Sequence, residues 1–184
     1  ASRRSRHSNA YFTGIGRVKR IVLFDTLLTQ MNHREILAIL AHEVGHWKKR
    51  HTLKRLILVE TGGLLALYLA YRLLQWDGLP GLIGLTQSSF PAQLVILMLL
   101  GSLVAFPFTP LSSWLSRRHE RQADRFGCEL SGAPDALAAA LIKLSGENLA
   151  NLHPHPIYAM FYYSHPPVVE RVQRLRHYVQ NKVS

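Results

Sequence analysis

Two long apolar runs dominate the hydropathy pattern. From Leu56 to Trp76 the chain reads LILVETGGLLALYLAYRLLQW, interrupted only by Glu60, Arg72 and the pair Gly62-Gly63. Its length is about the ~20 residues that cover a hydrocarbon core, so it predicts a membrane helix over 56–76. Farther on, no Asp, Glu, Lys or Arg occurs between Gly78 and Ser116. Within that stretch a second span is predicted over 90–115, with Pro107 and Pro110 placed to kink or end it. Buried helices of a soluble protein can be equally apolar, but so long a charge-free stretch argues for a bilayer.

The remaining pattern is that of a small helical protein. Ala1 to Gly16 is turn-rich, and Val18 with the run Ile21 to Phe24 predicts a strand bounded by Gly16 and Asp25. Asn32 stands where an N-cap belongs, Glu35 completes a capping box, and Ile36, Leu37, Ile39, Leu40, Val44 and Trp47 follow at helical spacing. After the second span, RRHERQADRFGCEL predicts a helix stopped near Gly132, and another runs from about Pro134 to Ser145. GENLANLHPHPIYAMFYYSHPP reads as loop or short helical pieces, and an amphipathic basic helix from Pro166 to about Lys182 closes the chain. The expected fold is mainly α, with a small β-strand element near the N-terminus and two transmembrane helices. It forms one catalytic domain over 1–184, divided into 1–31, 32–55, 56–76, 90–115 and 116–184. Opening at Ala1 without a methionine or a signal-type leader, the chain reads as the C-terminal part of a longer multi-span protein.

Charge changes the picture through its placement. The 184 residues carry a formal net charge of +11, which taken alone suggests nucleic acid or an anionic membrane face. Lys48, Lys49, Arg50, Lys54 and Arg55 precede the first span, and Arg117, Arg118, Arg121 and Arg125 follow the second. The connector from Asp77 to Pro91 has no Lys or Arg. The positive-inside rule therefore puts both clusters in the cytoplasm and makes the charge a topology signal. No nucleic-acid-binding motif accompanies it. Cys128 is the single cysteine, so no internal disulfide or cysteine zinc finger is available, and a small buried thiol is expected.

The candidate chemistry lies in His42-Glu43-Val44-Gly45-His46, an HExxH on the predicted helix. Its i, i+4 spacing aims two imidazoles at one ion and sets a carboxylate beside them. Catalytic zinc takes three protein ligands, and Glu120 is the candidate third because it opens a helical ExxxD with Asp124. Asp124 could then orient a ligand histidine by accepting its other N–H. His119 competes with Glu120 for the third place, and salt bridges to Arg117, Arg118 and Arg121 offer Glu120 an ordinary surface role.

The blocks HSNAYFTG, KRIVLFDTLL, LAHEVGHWKKRH, RRHERQADRFG, NLHPHP and YYSHPPVVERV occur in the order found in the integral-membrane zinc proteases that include the type I CAAX prenyl endopeptidases. The resemblance covers practically the whole chain, although that family has further spans upstream of HSNAYF. It implies a membrane-embedded, zincin-like metalloprotease holding one Zn2+ by His42, His46 and Glu120, with Glu43 as base and Asp124 steadying a ligand. It further implies that His165 stabilises the oxyanion and that Asn9, Ala10 and Tyr11 form an edge strand pairing with substrate. His153 and His155, flanked by prolines, read as loop structure.

The implied activity is zinc-dependent cleavage near the C-terminus of prenylated or membrane-associated peptides at the cytoplasmic face. The membrane would be that of the endoplasmic reticulum in a eukaryote or the inner membrane in a bacterium. An HtpX-like quality-control protease keeps the chemistry and changes the client. A non-catalytic scaffold braced by zinc would have no need of Glu43. Expected partners are a peptide or protein substrate and membrane lipid, with no nucleic acid.

Overall fold

The computed structural model describes residues 10–13, 20–147 and 149–183. Strands β1 (Ala10–Thr13) and β2 (Arg20–Leu23) pair antiparallel, with Ala10 opposite Leu23 and Thr13 opposite Arg20. β2 lies on the predicted strand but stops before Phe24, which instead caps helix α1 (Asp25–Gln30). β1 agrees with the edge strand that the resemblance implied at Ala10 and Tyr11 and corrects the turn-rich reading from periodicity, because four residues carry too little alternation to announce a strand. α1 was not anticipated, because six residues are too few to display a helical period.

Helix α2 (His33–Lys48) begins as its capping box predicts. Asn32 Oδ1 accepts from the Glu35 backbone N–H at 2.9 Å, and the Asn32 N–H donates to Glu35 Oε2 at 2.8 Å. The helix stops at a sharp turn in which Arg50 takes φ 55°, and α3 (His51–Leu74) starts at the next residue. Downstream come α4 (Phe90–Ala105), α5 (Thr109–Ser131), α6 (Pro134–Glu147), α7 (Pro156–Tyr162) and α8 (Val168–Val183). Gly132, at φ 63°, ends α5 as expected, and its N–H donates to the Cys128 carbonyl at 3.0 Å.

The chain divides into two compact units, Thr52–Ser112 and the remainder. The first of these holds the apolar runs. α3 and the helix that begins at Phe90 are long and apolar enough to cross a membrane. Their large side chains stand bare, with Leu67 69%, Met98 74% and Leu103 70% exposed, as lipid-facing positions would be. As expected of Pro107, α4 ends at Ala105, although the chain stays helical into α5. The helix tightens into a 3-10 turn over Phe106–Phe108 around Pro107, and Pro110 falls in the first turn of α5, where its missing N–H costs nothing.

The other unit carries the polar chemistry on a close-packed helical core. α6 packs against both α2 and α8. Leu137, Leu141, Val172 and Leu175 bury against Ala38 and Cys128, while Leu27, Met31 and Ile39 close a second cluster with Ala140. Cys128, 1% exposed, is the buried thiol expected. Two glycines let α2 and α5 approach. A Cβ at Gly45 would stand 3.0 Å from Ala123 Cα, and one at Gly127 would stand 3.0 Å from the His42 backbone nitrogen. That closeness sets the side chains of α5 against those of α2.

Candidate metal centre

α2 presents His42 and His46 on successive turns, and α5 does the same with Glu120 and Asp124. The two pairs meet. His42 Nε2 and His46 Nε2 are 3.2 Å apart, His46 Nε2 is 3.2 Å from Glu120 Oε1, and His42 Nε2 is 3.6 Å from Glu120 Oε2. Zinc at about 2.0–2.1 Å from each of three tetrahedral ligands separates those ligands by ~3.3–3.4 Å. The donor set therefore has the size and chemistry of a zinc site. Among the described residues, these three are the group able to hold an ion together. Two imidazole nitrogens facing one another and a buried Glu120 Oε2 without an aligned hydrogen-bond donor are the arrangement a shared cation resolves.

Asp124 sits behind His42, with Oδ1 2.9 Å from Nδ1 at hydrogen-bond distance but off the hydrogen-bond direction. Both of its oxygens accept from Arg171, at 2.9 Å from Nε and 2.6 Å from Nη2. Arg171 Nη1 also lies 3.4 Å from Glu120 Oε2. This buried guanidinium bridges both carboxylates of the ExxxD, a position that sequence reasoning missed. Its signal was an arginine set among Val168, Val172 and Leu175, the face α8 turns to the core.

Burial pushes the Glu43 carboxyl above its ordinary value, and nearby His42 and His46 offset part of the rise. A carboxylate made more basic in this way suits a proton acceptor. The polar half of α5, beyond the charge-free run, behaves oppositely. Burial works against the Glu120 charge, yet His165 and His46 hold that carboxyl well below the usual range. Asp124 is also buried, and His42 and Arg171 hold it down. The site thus combines two carboxylates held in their charged form, Glu120 and Asp124, with one, Glu43, made more basic.

His165 reaches the cluster from the turn before α8, with Nδ1 3.0 Å from Glu120 Oε2 and most of its ring exposed. α7 brings it there. Arg117 donates to the Ala159 and Tyr163 carbonyls at 2.9 and 2.7 Å, and Ser113 Oγ donates to the Phe161 carbonyl at 2.7 Å. His119 does not enter the cluster. It stacks on His51, ring centroids 4.1 Å apart, whereas Glu120 groups with His42 and His46. His153 and His155 are exposed around the start of α7, as their loop reading anticipates. Ala10 and Tyr11 lie on β1, while Asn9 is outside the described residues.

The model of peptidase family M48 matches residues 1–179. The chain belongs to that family. M48 relatives include a CAAX prenyl protease 1 homolog of Arabidopsis thaliana, 41% identical over 95% of this chain and 41% of its own length. A homolog of the same name from Homo sapiens is 34% identical over 95% of this chain and 45% of its own length. The crystal structure of S. mikatae Ste24p superposes with a TM-score of 0.82 at 34% identity, covering 95% of this chain and 44% of that one. The chain thus spans less than half the length of these M48 relatives.

Proposed function

We propose that the protein is a membrane zinc endopeptidase that processes prenylated C-terminal peptides at the cytoplasmic face. The observation that carries this reading is the convergence of His42, His46 and Glu120 from α2 and α5, with Glu43 beside them. Its two apolar helices, and the name borne by relatives at 34–41% identity, support the membrane setting and the client.

His42, His46 and Glu120 would hold the ion. Zinc, when bound, activates a water and polarises the scissile carbonyl. Glu43 accepts the proton as the nucleophile forms and returns it to the departing amine. Asp124, itself gripped by Arg171, steadies the His42 ring. The exposed His165 ring is placed to donate to the oxyanion. Substrate backbone would add along the edge of β1 away from β2, at Ala10 and Tyr11, and the resemblance gives Asn9 the same role.

The test is metal analysis and cleavage by detergent-purified wild type and Glu43→Gln. Zinc should be retained by both, with cleavage of a farnesylated C-terminal peptide reduced about 10²–10⁴-fold in the variant. Equal cleavage by the two proteins would remove Glu43 from the reaction. Cleavage of unfolded membrane proteins but not of the lipidated peptide would transfer the activity to quality control.

A further inference from the structure

A histidine that gives Nε2 to a metal carries its remaining proton on Nδ1, and that proton needs an acceptor. His42 has Asp124 on that side. Among the described residues, no carboxylate pairs with His46 on that side. Its Nδ1 instead lies 3.1 Å from His51 Nδ1, and His51 Nε2 lies 2.9 Å from Gln122 Oε1. His51 is 3% exposed, so solvent has little access to this chain of contacts.

With both rings neutral, two proton arrangements satisfy both contacts. In one, the Gln122 amide oxygen accepts the His51 Nε2–H, His51 Nδ1 is a bare lone pair, and the His46 Nδ1–H donates to it. In the other, the amide is turned so that its NH2 donates to His51 Nε2. His51 Nδ1–H then donates to His46 Nδ1, and the proton of the neutral His46 ring must sit on Nε2. Only the first leaves His46 Nε2 able to bind a cation. The Glu120 carboxylate 3.2 Å from that nitrogen and the His42 nitrogen at the same distance mark where the cation belongs.

We propose that His51 and Gln122 are positioning residues for the second metal-binding histidine, fixing His46 as its Nδ1–H tautomer and holding its ring toward Glu120. The inference rests on the reading of His42, His46 and Glu120 as zinc ligands. The local fold is arranged for it. α2 gives way to α3 at the left-handed Arg50, and the first residue of α3, His51, lies against His46 in the last turn of α2. His119, nearly parallel to His51 at an interplanar angle of 10°, limits rotation of that ring. The two ligand histidines are thereby steadied differently, His42 by an anion and His46 by a neutral relay.

The experiment measures zinc affinity by chelator competition on the full chain in detergent, with denaturation of the metal-free proteins in parallel. His51→Phe and Gln122→Met lack the acceptor, and each should bind zinc about 10–100-fold more weakly than wild type. His51→Gln and Gln122→Glu keep an oxygen acceptor in the relay and should bind within a few-fold of wild type. Gln122 is only partly buried, so its pair of variants carries the test if the His51 variants fail to fold. Wild-type affinity in the acceptor-deleted variants would overturn the relay while leaving the metal site standing. Equal weakening in the conservative and deleting variants would also overturn it, as general damage to packing. Absence of zinc binding by wild type would bring down the metallopeptidase reading and the relay with it.

Discussion

Arg171 is the residue on which the charge balance of the centre turns, because Glu120 and Asp124 are both buried and both ionised. Removing one member of such a buried set leaves uncompensated charge, which typically costs about 3–5 kcal/mol. Arg171→Met should therefore lower the stability of metal-free protein by that amount in chemical denaturation, whereas Arg171→Lys, which keeps the charge and loses the fork, should fall between. A third buried carboxyl gives a pH prediction. Burial opposes the Glu35 charge, but Lys143 Nζ at 2.7 Å and the Asn32 N–H hold its pKa below the ordinary 4.5. A carboxyl depressed on folding contributes stability that is present above its unfolded pKa and is lost as pH falls through the folded value. Acid titration of stability should show this loss below about pH 4.5, and Glu35→Gln should flatten that limb of the curve.

At the scale of elements, the centre depends on how closely α2 and α5 run. Gly127→Ala forces a methyl against the His42 backbone and should destabilise by about 1–3 kcal/mol while weakening zinc binding. Gly146, in α6, has open space around it, so Gly146→Ala should instead stabilise by about 0.5–1 kcal/mol without altering zinc affinity. Thermal denaturation with zinc titration of the two variants separates the effects. The same contrast explains what the sequence could disclose. The start of α2, the stop at Gly132 and the pairing of His42 with His46 are set by residues three to five apart, and periodicity exposes them. Arg171 meets Asp124 across 47 residues and Gln122 meets His51 across 71, so their roles exist only once the helices have packed. β1 was legible only through the family resemblance at Ala10 and Tyr11 and not through periodicity, since its ladder partner is a separate segment. The ExxxD spacing pointed to the meeting of Glu120 with His42 and His46, while the turning of His119 to His51 shows only in the packed helices.

For the whole molecule, the decisive arrangement is an apolar unit inserted between two stretches of a polar one. The basic residues from Lys48 to Arg55 and from Arg117 to Arg125 flank it on both sides along the chain. The proposed topology, read from the positive-inside rule, sets both ends of the apolar unit in the cytoplasm and the segment around Gln87 on the opposite face. In sealed vesicles of cytoplasmic-side-in orientation, Gln87→Cys should react with a membrane-impermeant maleimide, and Lys54→Cys should react only after permeabilisation. The reverse pattern would invert the topology and place Glu43 across the bilayer from the proposed clients. Such experiments gain from the position of Cys128 inside the core, 1% exposed. A native sulfur sealed among alanines and leucines contributes almost no background labelling. Fluorophores or spin probes can therefore be attached one site at a time without first mutating the wild-type chain.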